Sequence, residues 1–271
     1  MKAPSPHRPK KSLGQNFLVD GNLQRKIVDA LHPEPGDHLL EIGPGRGALT
    51  RHLVGRAENL TLVELDRDLA AILEEELIGE EGVSVIQGDI LELALTEVAS
   101  DVSALKVIGN IPYNITTPIL FHLLERPRPR EILLMVQKEV ADRILASPGG
   151  SSFGALTVGV QSVARVEKVL RVPASAFRPV PAVDSTVIRV TPTRPEPLSV
   201  QEEKALRILT QAAFQQRRKQ FQSILRNHPR WELSHQAIAL LEEETGFDLT
   251  MRPETFSPLD FIRLSRTLTS L

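Results

Sequence analysis

The sequence predicts an α/β protein, in which a doubly wound, mainly parallel sheet is followed by a small all-helical C-terminal domain. Short apolar runs alternate with helical patterns through most of the chain, and only helical patterns follow Ser199. The ends of the first four apolar runs are separated by 21, 25 and 21 residues, about one βα unit each. The 271 residues are 41% hydrophobic, which is enough apolar material for a core.

The predicted strands are short, and a glycine or a polar residue lies near the end of each of the first four, at Gly43, Glu64, Asp89 and Asn110. These strands are His38–Ile42, Leu60–Leu65, Val83–Gln87 and Leu105–Ile108, and a fifth is Glu131–Val136. Between them, Arg67–Leu77 and Pro118–Leu124 have helical patterns. Further along, we predict a helix at Phe153–Ala164 and strands at Val166–Val172 and Ser185–Val190.

The predicted domain boundary lies in a proline-rich segment. Thr191–Leu198 has three prolines in eight residues, which is typical of a linker. We therefore predict a first domain at residues 1–192, a linker at 193–198 and a helical domain at 199–271. Residues 1–20 form a basic N-terminal arm of the first domain.

Composition excludes several classes of protein. The chain has no cysteine, which rules out disulfides and thiolate metal sites, and no metal-ligand cluster is evident in the sequence. No apolar signal segment and no stretch of about 18 uninterrupted apolar residues is present. We therefore expect a cytoplasmic protein that has no membrane partner and needs no more than a monomer.

The distribution of charge favours a polyanionic partner, although the net charge is only −2. Residues 1–11 and 204–231 contain basic side chains and no acid. A polyanion responds to such local patches rather than to the average charge. Within the second run, Arg217, Arg218 and Lys219 are the predicted contacts to nucleic acid.

A glycine-rich turn and an acid mark a nucleotide-type cofactor site. Open α/β sheets bind ligands outside the carboxyl ends of their strands, where Gly43 and Gly45 follow the first strand. Glu64 ends the second strand and can accept hydrogen bonds from ribose hydroxyls. Asp89 ends the third, where it can accept from an adenine amino group or cap a helix at Ile90–Leu95. These residues suit either NAD or S-adenosylmethionine.

The fourth strand end distinguishes the two cofactors. Asn110, Pro112 and Tyr113 belong to the sequence Asn-Ile-Pro-Tyr. The Asn oxygen and the backbone carbonyl linked to Pro112 can both accept from the exocyclic amine of adenine, whose lone pair then points at a methyl sulfonium. Tyr113 offers a ring on which the flipped base stacks. Phe177, which we expect to be exposed by neighbouring prolines, is the candidate for the other face.

Together these segments resemble the ribosomal RNA adenine N6-dimethyltransferase family, most closely its members that act on the small ribosomal subunit. The matching segments are Lys11–Leu18, Glu41–Thr50, Val63–Leu69, Gly109–Pro118, Gln137–Arg143, Phe177–Ser185 and Ala213–Phe221. The resemblance implies a Rossmann-like methyltransferase fold and S-adenosylmethionine as cofactor. It also implies that Asn16 and Leu18, in a motif that covers the cofactor, join the site. Ala182 stands where the family often has Lys.

The substrate implied by the resemblance is a pair of adjacent adenosines in a hairpin loop near the 3′ end of small-subunit ribosomal RNA, each methylated twice in an immature subunit. Three alternatives stay open. One is a related enzyme that methylates large-subunit RNA and confers macrolide resistance. The second is an assembly factor whose main role is RNA binding. The third, an NAD-dependent oxidoreductase, fits Gly43–Glu64 and leaves the Asn-Ile-Pro-Tyr sequence unexplained.

Overall fold

The computed structural model describes residues 15–270. The basic residues predicted within positions 1–11 lie outside the described residues, as does the start of the segment Lys11–Leu18. The described part of the chain combines a large mixed sheet, a two-stranded ribbon and flanking helices.

The large sheet has seven strands in the order β4-β3-β2-β5-β6-β9-β7. Their bounds are β2 His38–Ile42, β3 Asn59–Glu64, β4 Val83–Gln87, β5 Lys106–Asn110, β6 Glu131–Gln137, β7 Ala164–Val172 and β9 Ser185–Pro192. Strands β2 to β6 pair in parallel, and β9 runs antiparallel to β6. The prediction of a doubly wound, mainly parallel sheet is therefore confirmed.

The order of the strands creates a crevice at the carboxyl edge of the sheet. Strand β2 is central, with β3 on one side and β5 on the other, so successive βα units leave it in opposite directions. Ile42 pairs with Val63 on β3 and with Gly109 on β5. The ends of these strands are therefore level with one another, and the loops that follow them open into the same space.

Along the chain, helices alternate with the strands of the sheet. Those in the first part of the chain are α1 Gly21–Ala30, α2 Thr50–Leu53, α3 Arg67–Glu76, α4 Leu95–Val98, α5 Thr116–Leu123, α6 Lys138–Ile144 and α7 Ala155–Gln161. Acids fix the starts of two of them, because the Asp20 carboxylate accepts from two backbone N–H groups of α1 and that of Asp66 accepts from one of α3. On α1, Ile27 and Val28 are buried, and such side chains each contribute about 1.5–3 kcal/mol by leaving water.

A short ribbon lies beside the large sheet. Strand β1, Phe17–Leu18, pairs antiparallel with β8, Phe177–Arg178. Leu18 and Phe177 are both buried in one core cluster with residues of the large sheet. The ribbon therefore ties the start of the described chain to the segment that precedes β9.

The chain divides into two compact units. Within the described residues, one contains 15–141 together with Val166–Pro192, and the other contains Asp142–Arg165 and 193–270. The predicted boundary at residue 192 coincides with one crossing between the units. Residues 142–165, which we placed in the first domain, instead belong with the helical unit.

The helical unit is built on aromatic contacts. Its C-terminal helices are α8 Val200–Gln215, α9 Phe221–Asn227, α10 His235–Thr245 and α11 Pro258–Ser270. The Phe214 ring lies 6.1 Å from that of Phe153 and stacks on that of Phe261 at 5.7 Å between centroids. Phe153 thus anchors the segment 142–165 in this unit, a long-range contact that no local pattern indicates.

Candidate active site

A cavity of about 180 Å³ opens at the carboxyl ends of β2, β3, β4 and β5. That volume is more than ten times the roughly 10–15 Å³ that one water requires, so the cavity has room for an organic ligand. Its walls include most of the predicted cofactor and target residues. These are Asn16, Leu18, Gly43, Gly45, Glu64, Asp89, Asn110, Pro112 and Tyr113.

Glycine is required at one place in the cavity wall and at one place in the strand beside it. Gly45 has a φ of +59°, which side-chain-bearing residues rarely adopt, and a Cβ there would lie 3.2 Å from the Phe17 ring. At Gly109, a Cβ would lie 2.9 Å from the Ile42 carbonyl oxygen. Gly45 therefore lets the loop after β2 lie against Phe17, and Gly109 lets strand β5 lie close to strand β2.

Glu64 holds the glycine turn as well as facing the cavity. One carboxylate oxygen accepts from the Gly45 N–H at 2.9 Å, and the other accepts from the Asp66 N–H at 2.9 Å. Burial raises the pKa of this carboxyl above its ordinary value. Each oxygen has a further lone pair, so the residue can still accept from a ligand hydroxyl while it fixes both loops.

Glu41 is a buried acid that the sequence analysis did not assign. It is 2% exposed and accepts from the Thr50 hydroxyl at 2.7 Å. Burial raises its pKa to about 8. The signal was available, because an acid among the apolar residues Leu39, Leu40 and Ile42 of a central strand has to be partnered or protonated.

Asp89 lies in the cavity wall between Gly88 and the buried Ile90. One carboxylate oxygen accepts from the Leu91 N–H at 2.9 Å and closes a tight turn. Residues 90–93 form turns, and α4 begins only at Leu95, so the alternative of a helix cap at Ile90–Leu95 is wrong. The apolar Leu65 and Ile90 side chains, which we did not single out, also line this part of the cavity.

The Asn110 amide is oriented by the segment that covers the cavity. Its Nδ2 donates to the Asn16 backbone carbonyl at 3.2 Å. A carbonyl only accepts, so the nitrogen has to face Asn16, and the Asn110 oxygen is left for another donor. Asn16 therefore contributes its backbone to the site.

Leu18 is held by a buried glutamine. The Gln24 side chain donates to the Leu18 carbonyl at 2.8 Å, and its oxygen lies 3.2 Å from the His52 ring nitrogen. Phe17 lies between Asn16 and Leu18 in the sequence and packs against Gly45. The Arg46 guanidinium stacks over its ring, 5.0 Å from the ring centroid. The segment Gln15–Leu18 therefore forms one wall of the cavity.

Pro112 and Tyr113 form the turn after β5. Pro112 has a φ of −57°, and its carbonyl accepts from the Ile115 N–H at 3.2 Å and the Thr116 hydroxyl at 3.3 Å. The Tyr113 hydroxyl lies 2.8 Å from Ser185 Oγ. Burial raises the pKa of this phenol.

Phe177 does not lie where we expected. It is fully buried, pairs with Leu18 in the ribbon and belongs to the core cluster, so its predicted exposure is wrong. The neighbouring prolines leave Val180 and Val183 exposed instead. Phe177 is not in the wall of the cavity and, as it stands, offers no free face to a base.

In the helical unit, Arg217, Arg218 and Lys219 lie in the turn between α8 and α9, which we call the basic turn. Arg217 is half-buried; it donates to the Ser151 carbonyl at 3.0 Å and lies 3.8 Å from a Glu254 oxygen. Arg218 and Lys219 are exposed. Within residues 15–270, no cluster of three or more acidic or histidine side chains is placed to hold a metal ion, and no helix has the length and apolarity to cross a bilayer.

Curated relatives match this chain over nearly its full length, among them one from Acinetobacter baylyi and one from Pseudomonas aeruginosa. Both are named Ribosomal RNA small subunit methyltransferase A. The one from Acinetobacter baylyi is 42% identical over 260 residues, 96% of this chain and 92% of the relative. The one from Pseudomonas aeruginosa is 41% identical over 266 residues, 98% of this chain and 96% of the relative.

Solved structures give the same fold. A dimethyladenosine transferase from Plasmodium falciparum superposes with a TM-score of 0.77 at 24% identity, covering 94% of this chain and 98% of its own. The 23S rRNA methyltransferase ErmE superposes with a TM-score of 0.70 at 27% identity, covering 93% and 99%. The family model described as ribosomal RNA adenine dimethylase matches residues 6–268. The resemblance inferred from the motifs is thereby confirmed, and the chain belongs to the ribosomal RNA adenine dimethylase family, whose members are methyltransferases.

Proposed function

We propose that this protein transfers methyl groups from S-adenosylmethionine to the N6 amines of two adjacent adenosines in a hairpin loop near the 3′ end of small-subunit (16S) ribosomal RNA. Relatives named for the small subunit are 40–42% identical over nearly the whole chain, which favours that RNA. The observation that carries the proposal is the orientation of Asn110, whose amide oxygen is left available at the carboxyl edge of the sheet.

The residues of the cavity fit S-adenosylmethionine. Glu64 suits the ribose hydroxyls, and Asp89 suits the adenine amine, with Leu65 and Ile90 as apolar surfaces beside it. Gly43 and Gly45 let the backbone come close to the ligand, and Asn16 and Leu18 cover it. When bound, the cofactor supplies an electrophilic methyl group on a cationic sulfonium, which suits a cavity lined by acids.

The target amine is positioned by acceptors on the loop after β5. The Asn110 oxygen accepts one N–H of the amine. Two donors already occupy the Pro112 carbonyl, so we assign the second acceptor to the Ile111 carbonyl, which forms the peptide bond with Pro112. Two acceptors make the nitrogen more tetrahedral, so its lone pair points into the cavity instead of into the ring.

Tyr113 supports the base once it has left its stack. Tyr113 lines the cavity at the point where the loop turns, and stacking on an aromatic side chain stabilises a flipped base by about 1–3 kcal/mol. The methylated nitrogen loses its proton after transfer, so no strong base is needed. Orientation and charge complementarity therefore carry the catalysis.

Arg217, Arg218 and Lys219 are the proposed contacts to RNA outside the cavity. Arg218 and Lys219 are exposed and available to phosphates, whereas Arg217 braces the turn through Ser151. The partner is then an immature small ribosomal subunit, and the place of action is the cytoplasm. We propose that the protein acts as a monomer, because the proposed chemistry needs no residue beyond those that one chain supplies to the cavity.

The test is methyl transfer from radiolabelled S-adenosylmethionine to separated ribosomal particles from cells that lack this protein. We expect dimethyladenosine in small-subunit RNA. Label in large-subunit RNA instead would favour the second candidate, an enzyme like the 23S rRNA methyltransferase at 27% identity. RNA binding without label in either particle would favour an assembly factor, and binding of NAD in place of S-adenosylmethionine would overturn the choice of cofactor.

A further inference from the structure

Ser185 is a buried polar residue at the edge of the sheet that carries the cavity. It is the first residue of β9, fully buried, and pairs in register with Gln137 at the carboxyl end of β6. On the other side of β6, Met135 pairs with Asn110. The antiparallel strand β9 thus starts where the parallel strands end, beside the loop that holds the target amine.

The Ser185 hydroxyl contacts that loop through the hydroxyl of Tyr113. Its Oγ lies 2.8 Å from the Tyr113 hydroxyl, and the two residues are 72 positions apart in the sequence. The Tyr113 oxygen lies on the rotation axis of the ring, so a hydrogen bond to it restricts the first side-chain torsion directly. The O–H bond of a phenol prefers the plane of its own ring, so the same contact also favours the ring plane that contains Ser185 Oγ.

Ser185 is itself held firmly through Asp184. One oxygen of the Asp184 carboxylate accepts from the Ala174 N–H at 2.9 Å, and the other accepts from the Arg171 guanidinium at 3.0 and 2.5 Å. The Asp184 carbonyl also accepts from the Lys138 N–H at 3.0 Å. The hydrogen bonds from Ala174 and Arg171 lower the pKa of Asp184, which keeps the carboxylate ionised and the anchor intact near neutral pH.

We propose that Ser185 is a positioning residue that fixes the Tyr113 ring in the plane on which the target adenine stacks. The inference rests on the proposed function, because it deepens the role of Tyr113 in that reaction. A ring that is free to rotate would admit the base in several orientations, and only one of them aims its amine at the methyl group. Ser185 then acts on turnover through Tyr113, without touching the substrate.

A double-mutant cycle tests this coupling. We expect Ser185→Ala to lower kcat roughly threefold to tenfold, as loss of one orienting hydrogen bond would, with unchanged affinity for S-adenosylmethionine. Ser185→Thr, which keeps the hydroxyl, should recover part of the loss. In a Tyr113→Phe background, Ser185→Ala should have little further effect on kcat. Additive effects of the two changes, or a fall in melting temperature with kcat unchanged, would overturn the inference.

A spectroscopic readout separates this inference from the proposed function. Tyr113 is the only tyrosine of the chain, so the alkaline absorbance change of phenolate reports it alone. The midpoint should lie above the ordinary value of 10.0, because burial and the charge of Asp184 raise the pKa, while the Ser185 hydrogen bond lowers it. Ser185→Ala should therefore move the midpoint further up.

Circular dichroism across the same pH range serves as the control for folding. An unshifted midpoint in Ser185→Ala would show that the Ser185 hydroxyl does not bond to Tyr113 in solution. It would overturn the inference even if the wild-type protein methylates RNA. Failure of the proposed function would appear differently, as a wild-type protein without methyl transfer whose phenol still responds to Ser185→Ala.

Discussion

The cavity of the sheet and the basic turn of the helical unit both carry polar side chains, but they hold them in different ways. In the cavity, Glu64 and Asn110 are bonded to named backbone atoms at 2.9 and 3.2 Å. In the basic turn, Arg218 and Lys219 are exposed to solvent. Fixed, shielded groups suit discrimination of one reacting nitrogen, whereas solvated cations suit attraction of a phosphate backbone. The two regions should therefore respond to different measurements.

The largest effect should come from the cavity. We expect Asn110→Ala to lower kcat about 100- to 1000-fold, because an acceptor that aligns the amine in the transition state is lost. Affinity for S-adenosylmethionine, measured by calorimetry, should fall only modestly. Asn59→Ala makes the same chemical change at the exposed start of β3, at the opposite edge of the sheet, and should leave both quantities unchanged. Unaltered turnover in Asn110→Ala would refute its role.

The second effect tests the basic turn. Arg218→Glu combined with Lys219→Glu should weaken RNA binding strongly and reduce the slope of log affinity against log salt by about two, one for each lost phosphate contact. Turnover at saturating RNA should change little. A salt titration of RNA binding measures both. As a matched control, the same double reversal at the exposed Arg25 and Lys26 of α1 separates local contact from total charge. Equal losses in both variants would show that only net charge matters.

A third prediction concerns the buried acid of the cavity. Because its pKa is raised from 4.5 to about 8, Glu41 favours folding while protonated. That contribution is complete below about pH 4.5 and is lost as the pH rises through about 8, by an amount on the order of a few kcal/mol. The glutamine in Glu41→Gln cannot ionise. The unfolding free energy of this variant should therefore rise relative to that of the wild type as the pH is raised from about 5 to about 9.

Urea unfolding at both pH values measures this gain. Glu80→Gln removes an exposed carboxylate and should show no comparable trend. A difference between Glu41→Gln and wild type that stays constant with pH would mean that Glu41 is ionised throughout, held by the Thr50 hydroxyl and solvent.

The sequence predicts the parts of the fold and of the site that depend on local patterns. The βα alternation is local, so β2 and β4 have the predicted bounds and the neighbouring strands differ from prediction by one or two residues. Glu64, Asp89 and Asn110 were identified because parallel strands place their ends at one edge. Those residues are also the ones that line the cavity in the structure.

The features that escaped prediction depend on contacts distant in sequence. Phe177 is buried because β8 pairs with β1, some 160 positions earlier, and no local pattern reports that pairing. The Tyr113–Ser185 contact requires β9 to lie beside β6. Residues 142–165 join the helical unit through the contact of Phe153 with Phe214, which is also distant in sequence. Local periodicity predicts elements, and tertiary pairing decides which side chains meet.

The smallest expected effect separates two neighbours within the basic turn itself. Arg217 donates to the Ser151 carbonyl and lies near Glu254, whereas Arg218 is exposed. Because surface contacts of this kind are worth about 0–1 kcal/mol, Arg217→Ala should lower the unfolding free energy slightly, and Arg218→Ala should not. For RNA affinity the order should reverse, since within residues 15–270 Arg218 makes no structural bond that it would have to give up before it meets a phosphate. Thermal melts and salt titrations of the two variants measure both quantities, and an equal loss of affinity in both would mean that Arg217 leaves Ser151 when RNA binds.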